Sequence, residues 1–135
     1  GQTVTLQGGL ITASRGVGYD LLAVLPEADD PVARPRPPQD WPQQIERLYT
    51  LPGPGPEGQT VRVTCTFVRL QPETLEIVER PHETVVFEER CRGDARFVNA
   101  HHADIETGTV WQSTQWIGPV QGAFTYEMIE PFAPD

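Results

Sequence analysis

Apolar and polar residues alternate with a period of two along most of this 135-residue chain. The pattern is cleanest at residues 60–69, where the apolar positions share one side: Val61, Val63, Cys65 and Phe67. Threonine and arginine fill the positions between them. Because successive side chains of a strand point to opposite faces, this stretch predicts a central β-strand.

Shorter runs with the same rhythm are separated by glycine and proline turns. They predict further strands at residues 3–7, 10–13, 43–51, 74–80, 84–91, 96–104, 109–117 and 123–130. Only residues 19–24 predict a helix, a short one that Asp20 would cap. No alternation of strands and helices is present, so we expect an all-β, antiparallel meander of about eight or nine strands. It forms a barrel or a strongly curled sheet, and the barrel is preferred.

Residues 26–42 interrupt the alternation with six of the fourteen prolines. Proline lacks a backbone donor and fixes φ, so this segment predicts an extended surface loop within a single β-domain that covers residues 1–135. The loop is interpreted as a passive connector. The alternative is a docking loop built around Trp41.

The charge of the chain limits the partners that it binds. Ten Lys+Arg residues against nineteen Asp+Glu give a net charge of −9, which opposes binding to nucleic acid and to anionic membrane surfaces. No apolar run approaches the roughly 20 residues that span a bilayer, and no signal peptide precedes the first strand. We therefore expect a soluble protein, and any export signal either has been removed or was never included in this sequence.

Two cysteines, Cys65 and Cys91, lie in different predicted strands without the spacing of a zinc or redox motif. A disulfide between them is predicted, with two free buried thiols as the alternative. Closing a loop of this length stabilises a fold by roughly 3.5 kcal/mol in the chain-entropy model, and such bonds persist in oxidising compartments.

The histidines and serines offer little chemistry at the sequence level. His101 and His102 would point to opposite faces of one strand, so they do not ligate one metal together. His102 and Asp104 share a face but form an incomplete, two-ligand site. Ser113 has no histidine that the sequence ties to it. We therefore predict no metal, no cofactor and no catalytic residue.

Carboxylates provide the remaining catalytic alternative. A glycosidase-type pair is conceivable if two acidic residues converge in space, and the candidates are Asp104, Glu106, Glu127 and Glu130. Nineteen acidic residues make such a coincidence easy to obtain by chance. A polysaccharide-modifying hydrolase is therefore the least favoured function.

Residues 95–119 predict a β-hairpin that carries two of the three tryptophans. Its halves are joined by Glu106-Thr107-Gly108, a short polar turn that ends on glycine. Trp111 and Trp116 are five positions apart, so an unbulged strand sends them to opposite faces. One indole is then expected in the core and the other on the surface.

The second half of this hairpin is the predicted glycan-binding site. Indole rings pack on the C–H faces of sugars, and neutral amide and hydroxyl groups bind sugar hydroxyls without desolvating a charge. The candidate residues are Trp111, Ser113, Gln115 and Trp116. The alternative is structural, with both indoles plugging the ends of a barrel.

The same region carries a family resemblance. Its motif consists of Phe97-x-Asn99, Asp104, Thr107-Gly108, Val110-Trp111-x-Ser113-x-Gln115-Trp116 and Pro119. This block looks like the C-terminal signature of the group 4 capsule polysaccharide lipoproteins, the GfcB/YjbF family. Leu10-Ile11-Thr12, with Gly16 through Leu22, resembles an upstream element of that family. Residues 100–103, Ala-His-His-Ala, depart from the aromatic residues that the family tends to have there.

The resemblance implies a β fold, export to the periplasm and a lipid anchor in the outer membrane, without enzymatic activity. No lipobox cysteine precedes Gly1, so we expect either that the anchor segment has been trimmed or that this member is soluble in the periplasm. We predict a non-catalytic accessory protein of capsule or exopolysaccharide assembly or export. Its partners would be the polysaccharide, envelope proteins of the same system, or both. The alternative is a protein–protein scaffold without a sugar site.

Overall fold

The computed structural model describes residues 1–16 and 18–129, and within them the protein is all-β, as predicted. Nine strands are present in this part of the chain: β1 (Thr3–Gln7), β2 (Leu10–Arg15), β3 (Ala23–Pro26), β4 (Gln44–Leu51), β5 (Gln59–Ile77), β6 (Arg80–Gly93), β7 (Phe97–Asp104), β8 (Val110–Gly118) and β9 (Gly122–Glu127). Strands β3 to β9 form one antiparallel sheet in chain order, and β1 and β2 form a separate hairpin. The predicted antiparallel meander is confirmed.

The sheet curls into a half-barrel and does not close, so the curled-sheet form of the prediction holds rather than the preferred barrel. Among the described residues, β3 and β9 are edges that pair on one side only. The concave face carries the hydrophobic core. The β1–β2 hairpin and the proline-rich loop lie over it, with Leu10, Ile11 and Val32 at most 1% exposed. The hairpin and the loop therefore bury the apolar concave face, which a closed barrel would bury by itself.

The predicted helix at residues 19–24 is wrong. The chain is extended there, and β3 pairs with β4 through the register Ala23↔Thr50. The Leu22 amide donates to Thr50 O at 2.9 Å, and the Ser14 amide donates to Leu21 O at 2.9 Å. The segment therefore forms bonds with neighbouring strands in place of helical ones. The helical turn that the described residues do contain is a 3-10 helix at Pro38–Asp40, inside the proline-rich loop.

Strands β5 and β6 form one long hairpin where the sequence predicts three strands. The prolines at 72 and 81 were expected to separate those strands, but β5 runs through Pro72 by means of a register shift between Arg69 and Pro72. Such an irregularity accepts a residue without a backbone donor. The turn lies at Val78 and Glu79, whose φ angles are 49° and 63°.

The disulfide prediction is confirmed. Cys65 and Cys91 face each other on β5 and β6, with Cα atoms 4.0 Å apart and the sulfurs bonded. Both residues are buried in the core. The bond therefore joins the two central strands near the middle of the sheet.

The proline-rich segment forms a loop between β3 and β4, and part of it is buried. Residues 30–33 lie in the interior, where Asp30 and Val32 have no exposed surface. The ring of Trp41 stacks on Phe87 at a centroid distance of 4.1 Å and meets Phe67 edge-on at 5.1 Å. The segment therefore packs as a structural cover for the concave face.

Within residues 1–16 and 18–129, no helix has the length and apolar character that a membrane crossing requires.

Candidate functional site

A network of buried polar side chains crosses the concave face from the proline-rich loop to the N-terminal hairpin. We call it the buried polar network, and its members are Asp30, Arg47, Glu89, Asn99, His101, Ser113 and Gln115. Each is at most 2% exposed. Alternation accounts for this burial, because each strand residue among them occupies an inward position.

The charged end of the network is centred on Arg47 in β4. Its guanidinium binds Asp30 through two contacts, Nε to Oδ2 at 2.9 Å and Nη2 to Oδ1 at 3.0 Å. Its Nη1 lies 2.6 Å from Glu89 Oε2. Burial by itself lowers the pKa of Arg47, but Glu89, Tyr49 and Asp30 raise it well above its ordinary value. The arginine therefore stays charged and connects the loop to β4 and β6.

Glu89 in β6 is the hub of the network. Its Oε1 accepts hydrogen bonds from Asn99 Nδ2 at 3.1 Å and from His101 Nε2 at 2.7 Å. Burial favours a raised pKa for this carboxyl, but the Arg47 charge and the bonds from His101 and Asn99 lower the pKa to about 2. Glu89 is therefore ionised at every pH above that range.

Beyond His101 the network continues to the first hairpin. His101 Nδ1 lies 2.8 Å from Ser113 Oγ, and Gln115 Nε2 donates to Ser113 Oγ at 2.8 Å and to Gly9 O at 2.7 Å. The Ile11 amide donates to Gln115 Oε1 at 2.9 Å. The sequence tied no histidine to Ser113, and the structure supplies one because β7 and β8 pair with His101 opposite Ser113.

An acid, a histidine and a serine in a chain of hydrogen bonds is also the arrangement of a nucleophilic relay. Here Ser113 is 1% exposed and its oxygen also accepts a bond from Gln115. The side chains of Ser113 and Gln115 thus hold β8 to β7 and to the first hairpin. Both were predicted to contact glycan, and their polar atoms are used inside the protein.

The turn of the tryptophan hairpin is organised by Asp104. Its Oδ1 accepts the backbone amides of Glu106 at 2.9 Å and Thr107 at 3.1 Å, while Oδ2 accepts the Trp111 indole N–H at 3.0 Å. Partial burial acts to raise the pKa of Asp104, but these hydrogen bonds lower it below its ordinary value. The carboxylate therefore caps the turn and positions Trp111.

Trp111 lies on the convex face of the sheet and is half-buried. Its ring packs on His82 with centroids 4.2 Å apart, and His82 Nε2 is buried without a hydrogen-bond partner among the described residues. His102 on the same face lies 3.3 Å from Glu73 through its Nε2. Trp111 therefore keeps some exposed surface beside polar side chains.

Trp116 lies on the opposite side from Trp111, as predicted. Its ring stacks on Phe97 at 4.3 Å and meets Tyr49 edge-on at 5.3 Å, and both of those residues belong to the core. The Trp116 amide donates to Asn99 Oδ1 at 2.8 Å. Trp116 is also half-buried, so it keeps some exposed surface.

The other candidate acids and the sulfurs do not assemble a site in the described chain. Glu106 and Glu127 are exposed, and Glu130 lies outside the described residues. Cys65, Cys91 and Glu89 come within 4.8 Å of one another, but the sulfurs are bonded together and are therefore not thiolate ligands.

The sequence interpretation missed Arg47, Glu89 and His101 as a unit. The available signal was a charged residue on an apolar face, because Arg47 alternates with Ile45 and Tyr49. Glu89 likewise separates Phe87 from Cys91. Charged residues at inward positions of two strands predict a buried ion pair. Which of them pair depends on the register of the strands.

Comparison with protein-family profiles found a match over most of the chain. The family profile described as group 4 capsule polysaccharide lipoprotein GfcB, YjbF matches residues 1–129. The crystal structure of the hypothetical lipoprotein YmcC from Escherichia coli K12 has a similar fold, with a TM-score of 0.68 and 21% sequence identity. The similarity covers 87% of this chain and 63% of YmcC, so this chain spans less than two thirds of that protein's length. Comparison with curated proteins gave no match.

Proposed function

Because the chain belongs to the group 4 capsule polysaccharide lipoprotein family, GfcB/YjbF, we propose that it assists the assembly or export of a capsular or extracellular polysaccharide without catalysing a reaction. It acts in the periplasm at the outer membrane, alongside envelope proteins of the same system. The family match over residues 1–129 is the observation that carries this proposal. A non-catalytic role is supported by the burial of Ser113 at the end of the Glu89–His101 relay.

The cellular experiment compares polymer at the cell surface with and without the protein. Cells that lack the protein should carry less surface polysaccharide than cells in which it is restored. Incubating the purified protein with the native polymer should leave the polymer size unchanged. Unaltered surface polymer in the deletion strain would refute the accessory role, and shortened polymer would replace it with a hydrolase.

The glycan contact is proposed at the tryptophan hairpin, with Trp111 as its principal ring. Trp111 is only partly buried on the convex face, and its orientation is held by Asp104 and His82. Trp116 contributes less, because its ring stacks on Phe97. Ser113 acts from beneath by fixing β8.

Two substitutions at one position test this contact. Trp111→Ala removes the flat ring and Trp111→Phe retains one, while both lose the bond to Asp104. We expect Trp111→Ala to weaken binding to the native polysaccharide by about tenfold, and Trp111→Phe to retain most of it. Circular dichroism monitors the fold of each variant. Equal binding by wild type and a folded Trp111→Ala would remove the indole from the proposed site.

A protein–protein scaffold is the second candidate, and the open edge of β9 favours it. No strand among the described residues pairs with the outer side of β9, and such an edge accepts an added strand from a partner. Purification from cells with and without the polysaccharide separates the two functions. A scaffold retains its partner protein in both cases, whereas a glycan-dependent complex is lost without the polymer.

A further inference from the structure

A groove of about 400 Å³ opens on the convex face, where β5, β6 and β7 lie side by side. Thr66, Arg90, Arg92, Arg96, Phe97 and Val98 line it. Thr66 pairs with Arg90, and Arg90 pairs with Val98, so these residues form a row across three strands. Thr66, Arg90 and Val98 alternate with the core residues Cys65, Cys91 and Phe97, which places these three on the outer side of the sheet. The buried residues Cys91 and Phe97 also contribute to the groove's lining.

The charge of this groove opposes that of the protein as a whole. The chain has a net charge of −9, and all ten of its cationic side chains are arginines, three of which line the groove. Arg90 contacts Glu88 through Nε at 2.6 Å, and both side chains keep exposed surface. The cationic groove is therefore a local reversal of the surface charge.

Arg92 and Arg96 are exposed, and no ion pair joins either one to a carboxylate in residues 1–16 and 18–129. The nearby Asp94 carboxylate accepts the backbone amide of Arg62 at 3.0 Å. A row of guanidinium groups without enough local carboxylates is expected to attract an external anion. Planar guanidinium groups match carboxylate and phosphate oxygens in pairs of hydrogen bonds.

Most of the groove's lining surface is apolar, although three arginines contribute to it. Val98 is 56% exposed at one side of it, and the aliphatic parts of arginine side chains add further apolar area. The hydroxyl of Thr66 both donates and accepts hydrogen bonds. Apolar surface, a hydroxyl and cationic groups together suit a sugar that carries an acidic substituent. The volume is within the range of small-molecule sites.

We propose that the groove formed by Arg90, Arg92 and Arg96 binds an anionic substituent, a carboxylate or a phosphate, of a polysaccharide chain. This proposal rests on the proposed function, and it identifies the polymer as an acidic one. It also adds a contact region that is separate from the tryptophan hairpin.

The position of the groove favours an extended glycan over an acidic protein segment. Strand β7 runs from Val98, beside the groove, to Asp104, which binds Trp111. Six residues of extended strand span about 20 Å. The groove and the indole therefore lie on one face at a separation that a chain of several sugars can bridge. Between them, β7 presents Ala100 and His102 on this face, and His102 lies 3.3 Å from Glu73 through its Nε2.

The experiment measures binding of defined oligosaccharides by calorimetry at low and at physiological salt. The probes are tetragalacturonate, its carboxyl-reduced neutral counterpart, and a phosphorylated mannan oligosaccharide. The variant Arg92→Gln/Arg96→Gln removes two charges from the groove. The control Arg34→Gln/Arg69→Gln removes two exposed charges elsewhere and matches the change in net charge.

Wild type is expected to bind at least one acidic probe and to bind the neutral tetramer at least tenfold more weakly. The groove variant should lose about tenfold in affinity for that acidic probe, while the control changes less than twofold. Affinity should fall as salt rises, because the groove is exposed. The carboxylate and phosphate probes distinguish the two anion chemistries.

Three results would overturn the inference. The first is that neither acidic probe binds wild type at low salt, and the second is that the groove variant binds like the control. The third is a wild-type protein that self-associates through the groove, seen in sedimentation as a dimer that Arg92→Gln/Arg96→Gln abolishes. That outcome would assign the groove to a second copy of the chain.

The cellular experiment keeps this inference separate from the proposed function. If deletion of the protein reduces surface polymer and Arg92→Gln/Arg96→Gln restores it fully, the groove proposal fails and the accessory role stands. If deletion has no effect on surface polymer, the accessory role fails whatever the groove binds.

Discussion

Single residues on the concave face decide how charge is held inside this protein. Arg47 lies between Asp30 and Glu89, with no exposed surface on any of the three side chains. A buried ion pair of this kind does not add much stability in comparison with apolar packing, but removing one partner leaves an uncompensated charge. The network therefore makes the fold sensitive to changes at its members.

Stability should fall in acid because of Glu89. Its pKa is about 2 in the folded protein and near 4.5 in the unfolded chain, so the unfolded state binds more protons between these values. The contribution is complete above about pH 4.5 and is lost as the pH falls towards 2. The shift corresponds to about 3 kcal/mol of unfolding free energy. Urea denaturation at pH 7, 4 and 3 measures it.

Glu89→Gln should lower the unfolding free energy at pH 7 by roughly 3–5 kcal/mol, because Arg47 loses a buried partner. The variant should also lose most of the pH dependence between 4.5 and 2. Glu76→Gln, at an exposed position, serves as the control and should keep the wild-type slope. A steep acid dependence retained in Glu89→Gln would assign it to another carboxylate.

At the level of elements, turns and the disulfide fix how strands meet. The β7–β8 turn ends at Gly108, whose φ is +78°, and a Cβ added there would overlap the carbonyl of Arg36 in the proline-rich loop. This turn therefore has both a conformational and a steric requirement for glycine. The sequence indicated the first requirement but not the second, because the loop approaches only in the folded chain.

Gly108→Ala and Gly122→Ala separate these two requirements. Gly122 has a φ of +72° but no atoms near an added Cβ, so its substitution costs about 1 kcal/mol from backbone strain alone. Gly108→Ala should cost at least twice as much, because the Arg36 backbone must also move. Thermal or urea unfolding measures both variants. Equal losses would mean that the loop yields without cost.

The disulfide should contribute about 3.5 kcal/mol, as expected for a sequence separation of 26 residues. Cys65→Ala/Cys91→Ala removes it without adding a polar group to the core. We expect a lower urea midpoint than for the oxidised wild type. Wild type with a reducing agent should approach the midpoint of the variant. Identical midpoints for oxidised wild type and variant would contradict a stabilising role.

At the level of the whole molecule, the open sheet depends on the segments that cover it. Strands β3 and β9 do not meet, so the concave face is protected by the first hairpin and by the proline-rich loop. Within the loop, the ring of Trp41 stacks on Phe87 and meets Phe67 edge-on. The predicted connector is therefore part of the core.

Trp41→Ala should destabilise the protein by about 3 kcal/mol, since a stacked aromatic is removed from the core. Trp41→Phe keeps a ring on Phe87 and should lose less than half as much. Hydrogen exchange of residues 26–42 should accelerate only in the alanine variant. If Trp41→Ala left stability and exchange unchanged, the loop would be a passive connector after all.

Local rules account for much of the sheet and for one part of the site. Two-residue alternation is a property of any strand, so it located most of the strands before the fold was known. Trp111 and Trp116 pack on different sides, but β8 has register shifts near both residues, so alternation alone does not explain their placement. The pairing of Cys65 with Cys91 also followed, because both lie on apolar faces of neighbouring strands. The resemblance to the capsule lipoprotein family was likewise readable in the sequence, and the family profile agrees with it.

Tertiary structure decided what alternation leaves open. Residues 23–26 form a strand because the edge of β4 supplies backbone hydrogen-bond partners for them. A helix would form its hydrogen bonds locally, so the sequence alone did not reveal this pairing. Ser113 and Gln115 lie in the interior, because strand register sets His101 beside one and Gly9 beside the other. Local sequence determines which residues of a strand share a face. Which residue lies opposite on the next strand depends on how distant strands align.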